Sequence, residues 1–253
     1  MDLNIGCCRN LVRGVHAYSL QRHDWILRNS PCDPEVLSFL RSWRPDGVIA
    51  TVFEPALARA LVRLRRPVID TAFAIRGLKL PVVDVDHDEV GRLAARHLCE
   101  CGYRHFGFLG SRSAVYSERR EASFRRHLAG AGYSLSSLLV EYLYEDLAAS
   151  SWKRDEPQVR RWLQALPKPV AVFACNDMAA RGLAEVCRQL RLAVPDQIAI
   201  LGADDDELEA LLTVPPLSSV AIPAKRVGYE AAQTLDRLMT GERVEQCRFL
   251  PPV

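Results

Sequence analysis

Two rhythms of apolar residues alternate along this chain. Short unbroken apolar runs end abruptly in polar residues, and between them apolar residues recur at three- and four-residue steps. The pattern is clearest from Lys168 to Glu209. Pro169 opens the run Val170–Cys175, and Asn176-Asp177 stops it. Such a run predicts a buried parallel strand. Behind it Met178, Gly182-Leu183, Val186-Cys187 and Leu190 mark one face of a helix, with Asp177 as the expected N-cap. After Pro195 a second run, Ile198–Ala203, ends in Asp204-Asp205-Asp206-Glu207. The unit is strand–helix–strand, with acid or amide groups at both strand C-termini. Ligands of open α/β sheets bind outside those ends, so Asn176, Asp177 and Asp204 are candidate ligand groups. Helix capping and a solvated acidic turn would explain the same residues, and the pattern alone leaves the choice open.

The rest of the chain repeats the alternation. Gly6–Leu20 reads as an amphipathic helix with Leu11-Val12, Val15 and Tyr18 on its inner face, and Trp25–Leu27 as a short strand. Asp33-Pro34-Glu35 opens a second helix, Val48–Ala50 is a strand, and Glu54–Leu64 is a helix. Strands follow at Pro67–Asp70 and Val82–Val85. Asp86-His87-Asp88 then caps a helix over Glu89–Cys101, with Leu93, His97-Leu98 and Cys101 on one face. Phe106–Gly110 reads as a strand, Ser117–Ala129 as a helix, Tyr133–Trp152 as irregular and Gln158–Leu166 as a helix. Past the acidic run come a strand at Leu217–Ile222, a helix at Val227–Thr240 and a last strand at Cys247–Leu250. Regular alternation of helices with strands argues a parallel, doubly wound sheet.

Composition narrows the function. The chain has 253 residues, 49% apolar and 25% charged, with a formal net charge of +2. That balance demands neither a nucleic-acid nor a membrane partner, and no window approaches the roughly 18 apolar residues of a membrane span. The opening MDLNIGCCRNLVRG carries no apolar core of a signal peptide. The eight cysteines match no zinc-ribbon or zinc-finger spacing and are expected to be reduced thiols of a cytoplasmic protein. There is no glycine-rich phosphate loop, HExxH or G-x-S-x-G elbow. No catalytic residue, metal site or cofactor is expected.

The segments FACNDMAARGL and VPDQIAILGADDDELEALLTVPPLSSVAIP resemble the sensor core of the LacI/GalR family of transcription regulators. So do VDVDHDEVGRLAARHLCECGYRHFGFLG and SERREASFRRHLAGAGY upstream, and VGYEAAQTLDRLMTGE downstream. SSWKRDEPQVRRWLQALPKPVAVFACND, LSSVAIPAKRVGYEAA and the terminal RFLPPV are similar to the xylose operon regulator subgroup. The resemblance implies the periplasmic-binding-protein type I fold, with two doubly wound parallel-sheet subdomains joined by three hinge strands. It places residues 1–102 and 223–241 in the first subdomain, and 103–222 and 242–253 in the second. The family's core begins with a buried strand before its first helix; here only MDLNIG stands there.

The resemblance also implies a site. The family's arginine one turn into the helix after the fourth strand matches Arg120. Its amide or acid after the next strand matches Asn176-Asp177, and its aspartate after the following strand matches Asp204. Trp152 resembles the subgroup's tryptophan at this place, where it would either stack on a sugar or pack under the loop. A sugar wants paired acceptors and forked donors for neighbouring hydroxyls, which carboxylate and guanidinium supply. The function implied is effector sensing for a bacterial transcription regulator. The expected effector is D-xylose or a related monosaccharide, and closure on it would change the geometry of a homodimer. DNA would be read only by a domain absent from this chain. The rivals are a periplasmic sugar-binding protein for transport and an α/β enzyme acting on a small polar substrate.

Overall fold

The computed structural model describes residues 1, 3, 5–22, 24–30, 36–141 and 150–253, without the side chains of residues 150–152. The expected opening of the second helix by Asp33-Pro34-Glu35 falls outside these residues. The chain divides into two units, residues 1–86 with 223–251 and residues 87–222 with 252–253, so it passes between them three times.

In the first unit, helices α1 (Gly6–Ser19), α2 (Val36–Trp43), α3 (Pro55–Arg63) and α9 (Ala224–Met239) accompany four strands. These are β1 (Val48–Ala50), β2 (Val68–Asp70), β3 (Val82–Val85) and β9 (Cys247–Leu250), all parallel in the order β1-β2-β3-β9. Helices α1 and α9 cross closely. A Cβ at Gly14 would lie 1.9 Å from the Lys225 carbonyl oxygen, and one at Gly228 2.0 Å from that of Leu11, so only glycine permits this approach. Tyr18 on α1 donates to Asp236 Oδ2 on α9 at 2.7 Å. Burial and that carboxylate push the phenol up to about 12. Beside the outer strand β1 lies a cavity of about 990 Å³, walled by Trp25, Phe39, Leu61, Leu235 and Met239 among others.

The second unit holds the strands β4 (Phe106–Ser111), β5 (Leu135–Val140), β6 (Val170–Ala174), β7 (Ile198–Ala203) and β8 (Ser218–Val220). They too are parallel, in the order β5-β4-β6-β7-β8. Helices α4 (His87–Glu100), α5 (Val115–Gly130), α6 (Ser150–Ala165), α7 (Asp177–Leu190) and α8 (Glu207–Leu211) connect them. Its centre is a fully buried aromatic cluster, with the rings of Phe108 and Phe124 centred 5.5 and 5.2 Å from that of Phe173.

Several expectations need correction. The division falls after Asp86, not after residue 102, because α4 packs on α5 in the second unit, where Ser123 Oγ donates to the Asp88 carbonyl at 2.5 Å. Strand β9 pairs with β3 in register Val82↔Cys247, so this part of the segment 242–253 belongs to the first sheet. Trp25–Leu27 forms no strand, and Ile26 is exposed. Leu135–Val140, within the stretch expected to be irregular, is the outer strand β5; its mixed burial and its serines hid it. On α4, His97 is exposed, and Val90, Ala94, Ala95 and Leu98 form the buried face.

Candidate functional site

The candidate residues of the second unit sit where β4, β6 and β7 end. Helix α5 buries Tyr116, Ser117, Arg120, Ser123, Phe124 and Leu128. These positions follow helical spacing, so Arg120 lies on the inward stripe. Its neighbours behave differently. Arg119 pairs with Asp88, and Arg125 reaches Glu121 at 2.6 Å and Ser137 at 2.8 Å. A buried guanidinium is costly unless its N–H groups are answered. Arg120 Nη1 donates to the Cys175 carbonyl oxygen, and Nε donates to His87 Nδ1 at 3.3 Å. Both terminal nitrogens of Arg120 lie 3.5 Å from Asp204 Oδ1, and the Tyr116 ring centre is 5.3 Å from the guanidinium carbon. The long contact to Asp204 and the aromatic face make this a loosely closed polar cluster.

The acidic run divides its labour. Asp204 faces Arg120 on a backbone with φ of 132°, and Asp205 follows with φ of 56° and an exposed side chain. Non-glycine residues in this region are strained and persist where their surroundings over-determine them. Asp206 is buried and caps α8, accepting from the Leu208 N–H at 3.1 Å, so it is not a solvated turn residue. Glu209 pairs with Arg181.

Asn176, not Asp177, is the N-cap of α7; its Oδ1 accepts from the Ala179 N–H at 2.8 Å. Its Nδ2 is fully buried and has no acceptor among the described residues. An orphan donor of this kind costs roughly 1–3 kcal/mol, and it is a group a polar ligand would satisfy. Asp177 is committed inside the protein: Oδ1 accepts from the Ser219 hydroxyl at 2.7 Å and Oδ2 from the Asp206 N–H at 2.8 Å. Burial pushes its carboxyl up to about 6, although those two donors and the charge of Arg120 pull it down. Burial likewise raises the Cys175 thiol to about 11.

The structure thus brings together Arg120, Asn176, Asp177 and Asp204. Trp152 falls in the first turn of α6, and its side chain lies outside the described residues. Sequence reasoning missed His87, taken as part of a cap, and Tyr116. A signal for both existed: His87 opens the helix directly after β3, and Tyr116 stands one helical turn before Arg120 on the same stripe. Among the described residues no group of three or more His, Cys, Asp or Glu is placed to hold a metal, and no helix is long and apolar enough to cross a membrane.

Comparison with known proteins agrees with the two-sheet fold. The chain is 30% identical over 254 residues to the xylose operon regulatory protein of Escherichia coli K12, covering 97% of this chain and 64% of that protein. To the xylose operon regulatory protein of Haemophilus influenzae it is 29% identical over 219 residues, covering 82% of this chain and 55% of the relative. The chain therefore spans about two-thirds or less of the length of these relatives. A solved structure of a xylose-binding transcription activator superposes with a TM-score of 0.83 at 27% identity, covering all of this chain and 65% of that one. The lactose repressor, at 19% identity and a TM-score of 0.73, shares the fold. The model of the periplasmic binding protein-like domain matches residues 82–253. With two parallel-sheet units and that match across most of its length, the chain belongs to the periplasmic binding protein-like domain family.

Proposed function

We propose that this chain is the effector-binding domain of a sugar-responsive bacterial transcription regulator, not an enzyme, and that its effector is D-xylose or a closely related monosaccharide. The observation that carries the reading is the buried Arg120 facing Asp204 beside the orphan Asn176 Nδ2. Together they offer a forked donor, a paired acceptor and a single donor to adjacent hydroxyls. Arg120, Asn176 and Asp204 touch the sugar in this reading, and Trp152 stacks on it. Binding biases the populations of two conformations, and a DNA-binding domain attached to a cytoplasmic homodimer reads the shift. The periplasmic-transport and enzymatic alternatives lack a specific observation in their favour.

The test is calorimetry against a panel of monosaccharides. Binding of a pentose is expected without added metal or cofactor. Asp204→Ala should weaken it at least about tenfold, the effect of losing one hydrogen bond to a charged group. A flat response from folded protein across the whole panel would refute the reading.

A further inference from the structure

The Asp177 carboxylate occupies an unusual seat. A Cβ at residue 202 would lie 2.0 Å from Asp177 Oδ1, so the carboxylate takes the space that any other residue there would fill. Its two oxygens face two donors from different segments, the Ser219 hydroxyl of β8 and the Asp206 N–H beyond β7. The same Ser219 Oγ accepts from the Asp205 N–H at 3.0 Å, and the Asp204 N–H donates to the Val220 carbonyl at 3.1 Å. Between these anchors stand the two residues with positive φ, Asp204 and Asp205. A backbone strained in that way holds only if its flanks are fixed, and here the flanks are fixed by one buried carboxylate and one serine.

We propose that Asp177 is a positioning residue. It latches the turn 204–206 onto β8 and so aims the Asp204 carboxylate at Arg120 and at the effector, without touching the effector itself. Gly202 and Ser219 are the other parts of the latch. The proposal rests on the reading that Asp204 contacts a sugar, and it reassigns Asp177 from the contact set to the support beneath it. An ionised carboxylate suits the place because both facing partners are donors. An asparagine would turn its Nδ2 toward one of them. Set against the Asp206 N–H it would repel. Set against Ser219 it would survive only by reversing the hydroxyl.

Two readouts on Asp177→Ala and Asp177→Asn test the proposal. The first, without any sugar, is hydrogen exchange at the amides of Asp205 and Asp206. Exchange should rise about tenfold or more in Asp177→Ala and less in Asp177→Asn. The second is affinity for D-xylose by calorimetry, which should fall about tenfold in the alanine variant, with the asparagine variant between it and the parent. Gly202→Ala, whose new methyl displaces the carboxylate, should resemble Asp177→Ala, and the double variant should be no worse than either single one, because both break the same latch.

Unchanged exchange in the alanine variant would overturn the proposal. So would faster exchange with unchanged affinity in a parent that binds. Equal loss in Asn and Ala with undisturbed amides would instead mean that Asp177 touches the sugar directly. A parent that binds no monosaccharide would sink the sugar reading alone, and the exchange measurement would still decide the latch. Should Asp177→Ala not fold, Ser219→Ala removes one of its two donors and is judged by the same outcomes.

Discussion

The two sheets obey the same parallel logic and are filled to different degrees. In the second unit the central strands β4 and β6 are walled on both faces, and Phe108, Leu109 and every residue of Val170–Ala174 are shut off from solvent. In the first unit β1 is three residues long, only Ala50 of it is fully buried, and the cavity of about 990 Å³ runs beside it. Packed cores transmit position; a void forfeits the contacts its walls would make. The candidate sugar-binding groups of the second unit grow from the ends of its best-packed strands, where the backbone is fixed closely enough to hold Asp204 and Asp205 at positive φ.

The contrast is tested most severely by truncation. Phe173→Ala removes the ring between Phe108 and Phe124 and should destabilise by about 3–5 kcal/mol in urea unfolding. Leu61→Ala removes a side chain that is also buried but already borders the cavity, and should cost about 2 kcal/mol, the low end for such changes. Equal costs at the two positions would mean that the first unit is packed as tightly as the second.

The same difference explains what the sequence disclosed. Elements with a strong one-sided pattern, such as α7, β6 and β7, were legible because burial alone dictates their residues. Strand β5 was not, because an outer strand carrying Ser136 and Ser137 has no unbroken apolar run. Trp25–Leu27 looked like a strand because local pattern registers apolar residues, not whether a neighbour's hydrogen-bonding edge is reached. For the site, positions were legible and duties were not. Asn176-Asp177 could be located at a strand end, but the cap fell to the first residue and the latch to the second, a choice set by Gly202, Ser219 and Asp206 far along the chain.

Charge offers a second test. In each unit a buried aspartate near a strand end ties neighbouring segments. Asp70 Oδ1 accepts from the Val52 N–H at 3.2 Å and the Ala72 N–H at 3.1 Å, much as Asp177 accepts from Asp206 and Ser219. Burial pushes Asp70 up to about 7, with the like charge of Asp84 adding to it, whereas Asp177 has Arg120 nearby and rises only to about 6. Both values lie above that of an unfolded aspartate. The stabilising contribution is therefore complete below about pH 4 and is lost as pH rises through the folded value. Asp70→Asn keeps an oxygen for the Val52 and Ala72 N–H groups, though not for every backbone donor since Phe73 also donates to the carboxylate, and it removes the ionisation. Between pH 5 and 8 the parent should lose roughly 2–3 kcal/mol relative to this variant, read from unfolding free energies across that range. Parallel pH profiles would show that Asp70 ionises without penalty.

The smallest effect is also the one that separates the units by sign. Ala171 lies in β6 with no exposed surface, and adding two methyl groups there must displace neighbours already in contact. Overpacking of that kind costs about 1–3 kcal/mol, so Ala171→Val should lower the unfolding free energy by that amount. Ala50 in β1 is buried too, yet it borders the cavity and belongs to the cluster of Val36, Leu40, Val52 and Leu57. Ala50→Val has empty volume to enter. The added methyls gain up to about 1 kcal/mol from burial, and valine also suits a strand better than alanine. The same substitution should therefore stabilise by about 0–1 kcal/mol in the first sheet and destabilise in the second. Denaturant midpoints at unchanged slope would measure both. Destabilisation of similar size at both positions would show that the space beside β1 does not lie where the Ala50 side chain can grow into it, and that the two sheets differ in extent but not in packing.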